Sequence, residues 1–182
     1  MIVGHLGIAG AAYAVRRDSS LVWLLGASLA PDVIDAMFVV AGSCNPHGLY
    51  SHTLPAAALI GAVTGAVAWA ATGRRVIGVL AALLVLAHLP LDYVTGQKLF
   101  WPGGELAGLR LYDYPMADFA VESVLAGGGW WLVRSRDRAP RWATGWVALA
   151  ALLVLQGTLD ILGARSGGVK PSACALAQPL AT

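Results

Sequence analysis

The chain has 182 residues, is 58% hydrophobic and only 12% charged, and carries a formal net charge of +2. Its mean hydropathy is +0.69. A soluble domain averages about 25% charged residues, so the composition points to an integral membrane protein, and the length leaves room for one bundle but no second sizeable domain. The charge is too small to suggest nucleic-acid binding, there is no basic face interleaved with aromatics, and no nucleic-acid partner is expected.

Apolar runs fall at 2–15, 21–42, 53–72, 76–95, 116–133 and 143–163. The first lacks the basic leader of a signal peptide and carries Arg16 and Arg17 after its apolar part, so it reads as the first bundle segment. It is shorter than the roughly 20 residues that cross a bilayer. The second is interrupted by Pro31, which removes a backbone donor and breaks or kinks a helix. Runs three, four and six are long enough to span, and run five just reaches that length. The expected fold is therefore all-α: a polytopic membrane helical bundle of about five to six spans, its second helix broken near Pro31. Residues 1–163 make one membrane-embedded domain, and 164–182 read as a loosely ordered C-terminal tail. No internal repeat is visible.

If all six runs cross, Arg16, Arg17, Arg74, Arg75, Arg134, Arg136, Arg138 and Arg141 share one side, against Lys98, Arg110, Arg165 and Lys170 on the other. Cytoplasmic loops are the ones rich in Lys and Arg. Trp23, Trp69, Trp130, Trp131, Trp142 and Trp146 flank the same arginine-rich loops, as an interfacial belt does. Both termini are then external. The cysteines, Cys44 and Cys174, have no zinc-ligand spacing, and a disulfide between them requires an oxidising compartment.

The polar residues within this apolar chain gather toward the external side. His5 begins run one, and Asp32 and Asp35 stand three apart after the break. His47 and His52 occupy HGLYSHT between runs two and three. His88 and Asp92 in HLPLD, and Asp118 and Glu122 in run five, are spaced i,i+4 and so share helix faces. Taken singly, each has an ordinary explanation; an Asp after Pro, for example, commonly caps a helix. Together they put many acids near imidazoles while every Lys and Arg lies in a loop or tail. Buried charges must be paired, bound to metal or neutralised. The expectation is a divalent-cation site, because loop cations do not easily reach all the acids.

These residues resemble a family of small bacterial inner-membrane proteins identified as membrane-bound metal-dependent hydrolases, of the LexA-binding, inner-membrane-associated type. The matching pieces are His5, GASLAPDVID (26–35), HGLYSHT (47–53), HLPLD (88–92) and FWP (100–102), over residues 1 to about 125. Gly48 stands where that family has Arg, and Ser51-His52-Thr53 where it has T-H-S. A more distant similarity, to zinc-dependent phospholipase C and P1-type nucleases, implies a phosphoester substrate and makes Asp118 and Glu122 a late ligand pair. The expected metal set is His5, Asp32, Asp35, His47, His52, His88, Asp92, Asp118 and Glu122, with Glu122 and Asp32 also read as catalytic. That many ligands suits two ions: Zn²⁺, with Mn²⁺ or Fe²⁺ equally compatible with the donors. The implied activity is hydrolysis of a lipid headgroup or lipid-linked phosphate by metal-activated water. A divalent-metal carrier, or a non-catalytic membrane protein with a degenerate site, is the alternative. A carrier usually shows repeats and ligands reachable from both faces.

Overall fold

The computed structural model describes residues 2–16, 19–137 and 139–166, with side chains to residue 162. The tail expected from residue 164 lies outside the described residues from 167 on, as do Arg17, Arg138, Lys170 and Cys174. Cys44 is disulfide-bonded.

Eight α-helices follow in order: α1 (Ile2–Val15), α2 (Leu21–Ser28), α3 (Ala30–Val40), α4 (Leu54–Thr72), α5 (Arg75–Thr95), α6 (Pro115–Arg134), α7 (Arg141–Thr144) and α8 (Trp146–Ser166). Two short strands, β1 (Lys98–Leu99) and β2 (Leu106–Ala107), pair antiparallel after α5. Local signals set the boundaries. A proline stands in the first turn of α4, where its missing N–H costs nothing. The same helix stops at Gly73, whose φ of 68° is the left-handed C-terminal cap. Arg75 then begins α5, making a tight hairpin.

Small residues let the helices touch. A methyl added to Gly65 would stand 2.7 Å from the Gly78 carbonyl oxygen, and one added to Gly78 would stand 2.6 Å from that of Gly65. Gly7 and Gly129 make the same backbone-to-backbone approach between α1 and α6. Close packing at small residues is how helices associate where lipid removes the hydrophobic drive. Ala9, Leu24, Ala27, Ala68, Ile77, Ala81 and Leu84 fill the centre between α1, α2, α4 and α5. The outer faces of α4 and α5 instead expose Leu59, Val63, Val67, Val79 and Leu83. That inversion, small inside and large apolar outside, suits a lipid surround.

The span expectation is revised. Helices α4 and α5 are long and apolar enough to cross a membrane, and α2 with α3 makes a third candidate as a bent pair. Five to six spans are not supported. Helix α1 has 14 residues, and the apolar part of α8 within the described residues is Trp146–Leu162, short of a full span. Helix α6 has 20 residues, but Asp118, Glu122 and three consecutive glycines dilute its apolarity. The break in the second run is present, with α2 and α3 bent by 54°. Pro31 lacks the N–H that would continue the ladder, and Leu29 takes the hinge.

Candidate metal centre

Four ligand atoms, one each from Asp32, His52, His88 and Asp92, lie within 4.8 Å of one another. They come from three separate places in the chain, and the fold fixes each. His88 and Asp92 stand one turn apart on α5, both buried. The His88 Nδ1 lies 2.9 Å from the Ser28 carbonyl. Ser28 ends α2, and the last carbonyls of a helix need partners from outside it, so the break in the second run supplies an acceptor for this imidazole. A carbonyl only accepts, so Nδ1 carries a proton and Nε2 is the nitrogen that faces the cluster.

His52 precedes α4 and is fully buried. Its Nδ1 lies 2.7 Å from Ser51 Oγ and 3.3 Å from Asp35 Oδ2. Ser51 Oγ and Asn45 Nδ2 both donate to Asp35 Oδ1. Asp35 therefore works from behind the ring, on the side away from the cluster. Asp32 and Asp35 do share a face of α3, and they bracket the same imidazole: Asp32 Oδ1 is 3.6 Å from His52 Nε2. The loop leading to His52 needs Gly48. Its φ is +74°, and a Cβ there would meet the His52 ring at 2.9 Å, so the position requires glycine.

The spacing fits a single cation. His52 Nε2 is 3.1 Å from His88 Nε2 and 3.0 Å from Asp92 Oδ2. His88 Nε2 is 3.5 Å from Asp32 Oδ1 and 3.6 Å from Asp92 Oδ2. Ligands about 2.0–2.1 Å from one zinc stand about 2.9 Å apart at right angles and about 3.4 Å apart at the tetrahedral angle. Two imidazole nitrogens and two carboxylate oxygens at these separations form a cage that could hold a metal ion.

The remaining expected ligands lie elsewhere. His5 is buried and stacked on His88, with ring centroids 3.6 Å apart, and its Nε2 faces the His88 carbonyl at 3.3 Å. It braces a cage residue from outside the four-atom group, although it also lies 3.7 Å from Asp92 Oδ1. His47 is exposed in a turn and stands outside the group. Glu122 is not placed as a ligand or a base. Its Oε2 accepts the Val3 and Gly4 N–H groups at 3.0 and 3.1 Å, closing the open end of α1. A carboxylate there satisfies orphan amides and the positive end of the helix dipole. Asp118 accepts from Gln156, which also donates to Asp160. Asp160 therefore belongs to a polar contact between α6 and α8.

One cation does reach the acids, against expectation. The β1–β2 hairpin folds back to the start of α4, where Leu54 N–H bonds the Phe100 carbonyl at 2.9 Å. That brings Lys98 Nζ to 3.6 Å from Asp92 Oδ2 and 3.9 Å from Asp35 Oδ2. Lys98, Asn45 and Ser51 are the contributors that sequence reasoning missed. A basic residue six positions after Asp92 was the only available signal.

Residues 1–161 match the family described as YdjM inner membrane protein. No curated protein and no solved structure matches the chain.

Proposed function

Since the chain belongs to the YdjM inner membrane protein family, we propose that it is a membrane-embedded, metal-dependent phosphoester hydrolase acting on a lipid headgroup or lipid-linked phosphate. The observation that carries this reading is the cage of Asp32, His52, His88 and Asp92 with a lysine beside it. A divalent ion held there supplies Lewis acidity to a phosphoryl oxygen and a nucleophile from water near neutral pH. The described residues offer one cage, so one ion is the working number.

The protein's own groups divide the work. Ser28 and Asp35 fix the two imidazoles from behind, as partners of ligating histidines commonly do. Asp32 and Lys98 are the members that reach solvent, with side chains 27% and 22% exposed. Asp32 Oδ2 is buried with no hydrogen-bond partner, so a water admitted beside the cage would find an acceptor there for its proton. Lys98 pairs with a phosphoryl oxygen. The water oxygen bonds to phosphorus as the ester oxygen departs with the electrons of its bond and takes up the proton held by Asp32.

Along α5, His88 is thirteen residues from Arg75, or about 20 Å at 1.5 Å per residue. The cage thus sits toward the end opposite Arg16, Arg74 and Arg75. The positive-inside rule turns that cage end outward, and the disulfide-bonded Cys44 on the same loop as His52 supports an oxidising side. We take the protein as multi-pass, with α1 packed on α2 and α5, and α6 and α8 packed in turn on α1.

The test is reconstitution into vesicles containing phosphoester lipids, with Zn²⁺, Mn²⁺ or chelator, and measurement of released phosphorylated headgroup. The proposal requires metal-dependent release that His52→Ala abolishes. Metal flux into the vesicles without any release would favour a carrier instead.

A further inference from the structure

Behind the His52 ring, on the side away from the cage, Asn45 uses both ends of its amide. Its Oδ1 accepts the Tyr50 N–H at 2.8 Å, and its Nδ2 donates to Asp35 Oδ1 and, at 2.9 Å, to Ser51 Oγ. We infer that Asn45 is a positioning residue for His52: it holds Asp35 and Ser51 together as the acceptor pair that aims Nε2 of the ring into the cage. The inference rests on the reading of His52 as a metal ligand.

The direction of each bond follows from what the groups can give. A backbone N–H only donates, so the bond from Tyr50 fixes the amide oxygen on that side and turns both amide N–H groups toward Asp35 and Ser51. Ser51 has one hydroxyl proton. Asn45 can only donate to Ser51 and the Asp35 carboxylate can only accept, so that proton goes to Asp35 Oδ1 and leaves a lone pair on Oγ for His52. His52 Nδ1, at 2.7 Å from Ser51 Oγ and 3.3 Å from Asp35 Oδ2, therefore carries the proton for both contacts. Nε2 is the nitrogen left to face His88, Asp92 and Asp32.

The position suits an asparagine and little else. Aspartate would keep the acceptor for Tyr50 but turn an oxygen toward the Asp35 carboxylate. Serine has one proton to give, and glutamine is one methylene longer. The same amide closes the turn that delivers the ligand: His47 and Gly48, with φ of 52° and 74°, lie between Asn45 and Tyr50, and His52 follows directly. One side chain thus shapes the loop and backs the ring. Removing a partner that orients a ligating imidazole typically weakens metal binding by about 10- to 100-fold.

The experiment is Zn²⁺ competition against a chromophoric chelator on the full-length protein in detergent, comparing wild type, Asn45→Asp, Asp35→Asn and the double variant. Asn45→Asp keeps the Tyr50 bond and adds negative charge near the cage. Its Kd for Zn²⁺ should nevertheless rise by about 10- to 100-fold. A tighter Kd would mean that only charge matters, and an unchanged Kd that Asn45 merely closes the loop; either overturns the inference. Because both residues act on one ring, the double variant should bind no more than about twofold weaker than the weaker single variant. Additive losses would overturn the shared route through Asp35. A second measurement needs no bound ion. In chelator, nitrogen NMR of histidine-labelled protein, with His52 identified by its loss in His52→Ala, should show a proton on Nδ1 that exchanges with water faster in Asn45→Asp. A bare Nδ1, or equal exchange in the two proteins, would overturn the inference. A wild type that takes up no Zn²⁺ would end the metal reading and leave the NMR comparison to decide the role of Asn45.

Discussion

Replacing Lys98 with methionine should tighten metal binding while weakening the metal-free protein. Without an ion, the Lys98 ammonium at 3.6 Å from Asp92 Oδ2 and 3.9 Å from Asp35 Oδ2 serves as a counter-charge for the acids. A divalent ion takes over that role and is repelled by the lysine. Coulomb's law at 3.6 Å gives about 4.6 kcal/mol with an effective dielectric near 20 and about 1.2 kcal/mol in bulk water. With Lys98 22% exposed and Asp92 5% exposed, the interaction lies between these limits. Exposed pairs net at most about 1 kcal/mol, so a half-buried pair of this kind is worth about 1–2 kcal/mol. Lys98→Met should therefore lower the Kd for Zn²⁺ by about 5- to 30-fold, and reduce unfolding stability in chelator by a similar free energy. Competition with a chromophoric chelator measures the first quantity, and thermal unfolding in detergent measures the second. Headgroup release should nevertheless fall, because Lys98 also meets the substrate phosphate. Unchanged or weaker Zn²⁺ affinity in the variant would refute the competition between lysine and ion.

Asp35→Asn leaves the cage atoms in place but loosens the His52 ring from behind, and should weaken metal affinity by about 10- to 100-fold, measured by the same competition. Glu122→Ala removes the acceptor of two buried amides and should cost about 1–3 kcal/mol. Hydrogen exchange should then rise at the start of α1 while metal content stays unchanged. Acidification should release the ion, because protonated histidine cannot ligate and metal binding displaces protons; equal metal retention at pH 5 and pH 7.5 would argue against imidazole ligation.

Much of the cage was legible because its parts obey short-range rules. The i,i+4 spacing of His88 and Asp92 defines a helix face, and Pro31 cannot continue a ladder. What the spacing could not give was which carboxylate faces inward. Asp32 and Asp35 sit on one face of α3, and only the fold reveals that His52 lies between them, with Asp32 toward the cage and Asp35 behind it. Glu122 illustrates a harder limit. Its partners Val3 and Gly4 are more than a hundred positions away, and an acid that caps a distant helix looks in sequence like an acid that binds metal. Lys98 reads from the sequence as a loop cation, yet a two-residue strand pairing swings it over the acids. Five to six spans is too high a count because an apolar run can keep its polar groups on the helix, packed in protein. In α6 it does, and those groups are buried against α1 and α8.

The central claim is tested most directly by elemental analysis of detergent-purified protein: wild type beside His52→Ala, His88→Ala and His47→Ala. The account predicts one equivalent of a divalent transition metal in wild type and in His47→Ala, with near-complete loss in the other two. Metal content that is equal in all four proteins, or that follows His47, would contradict it.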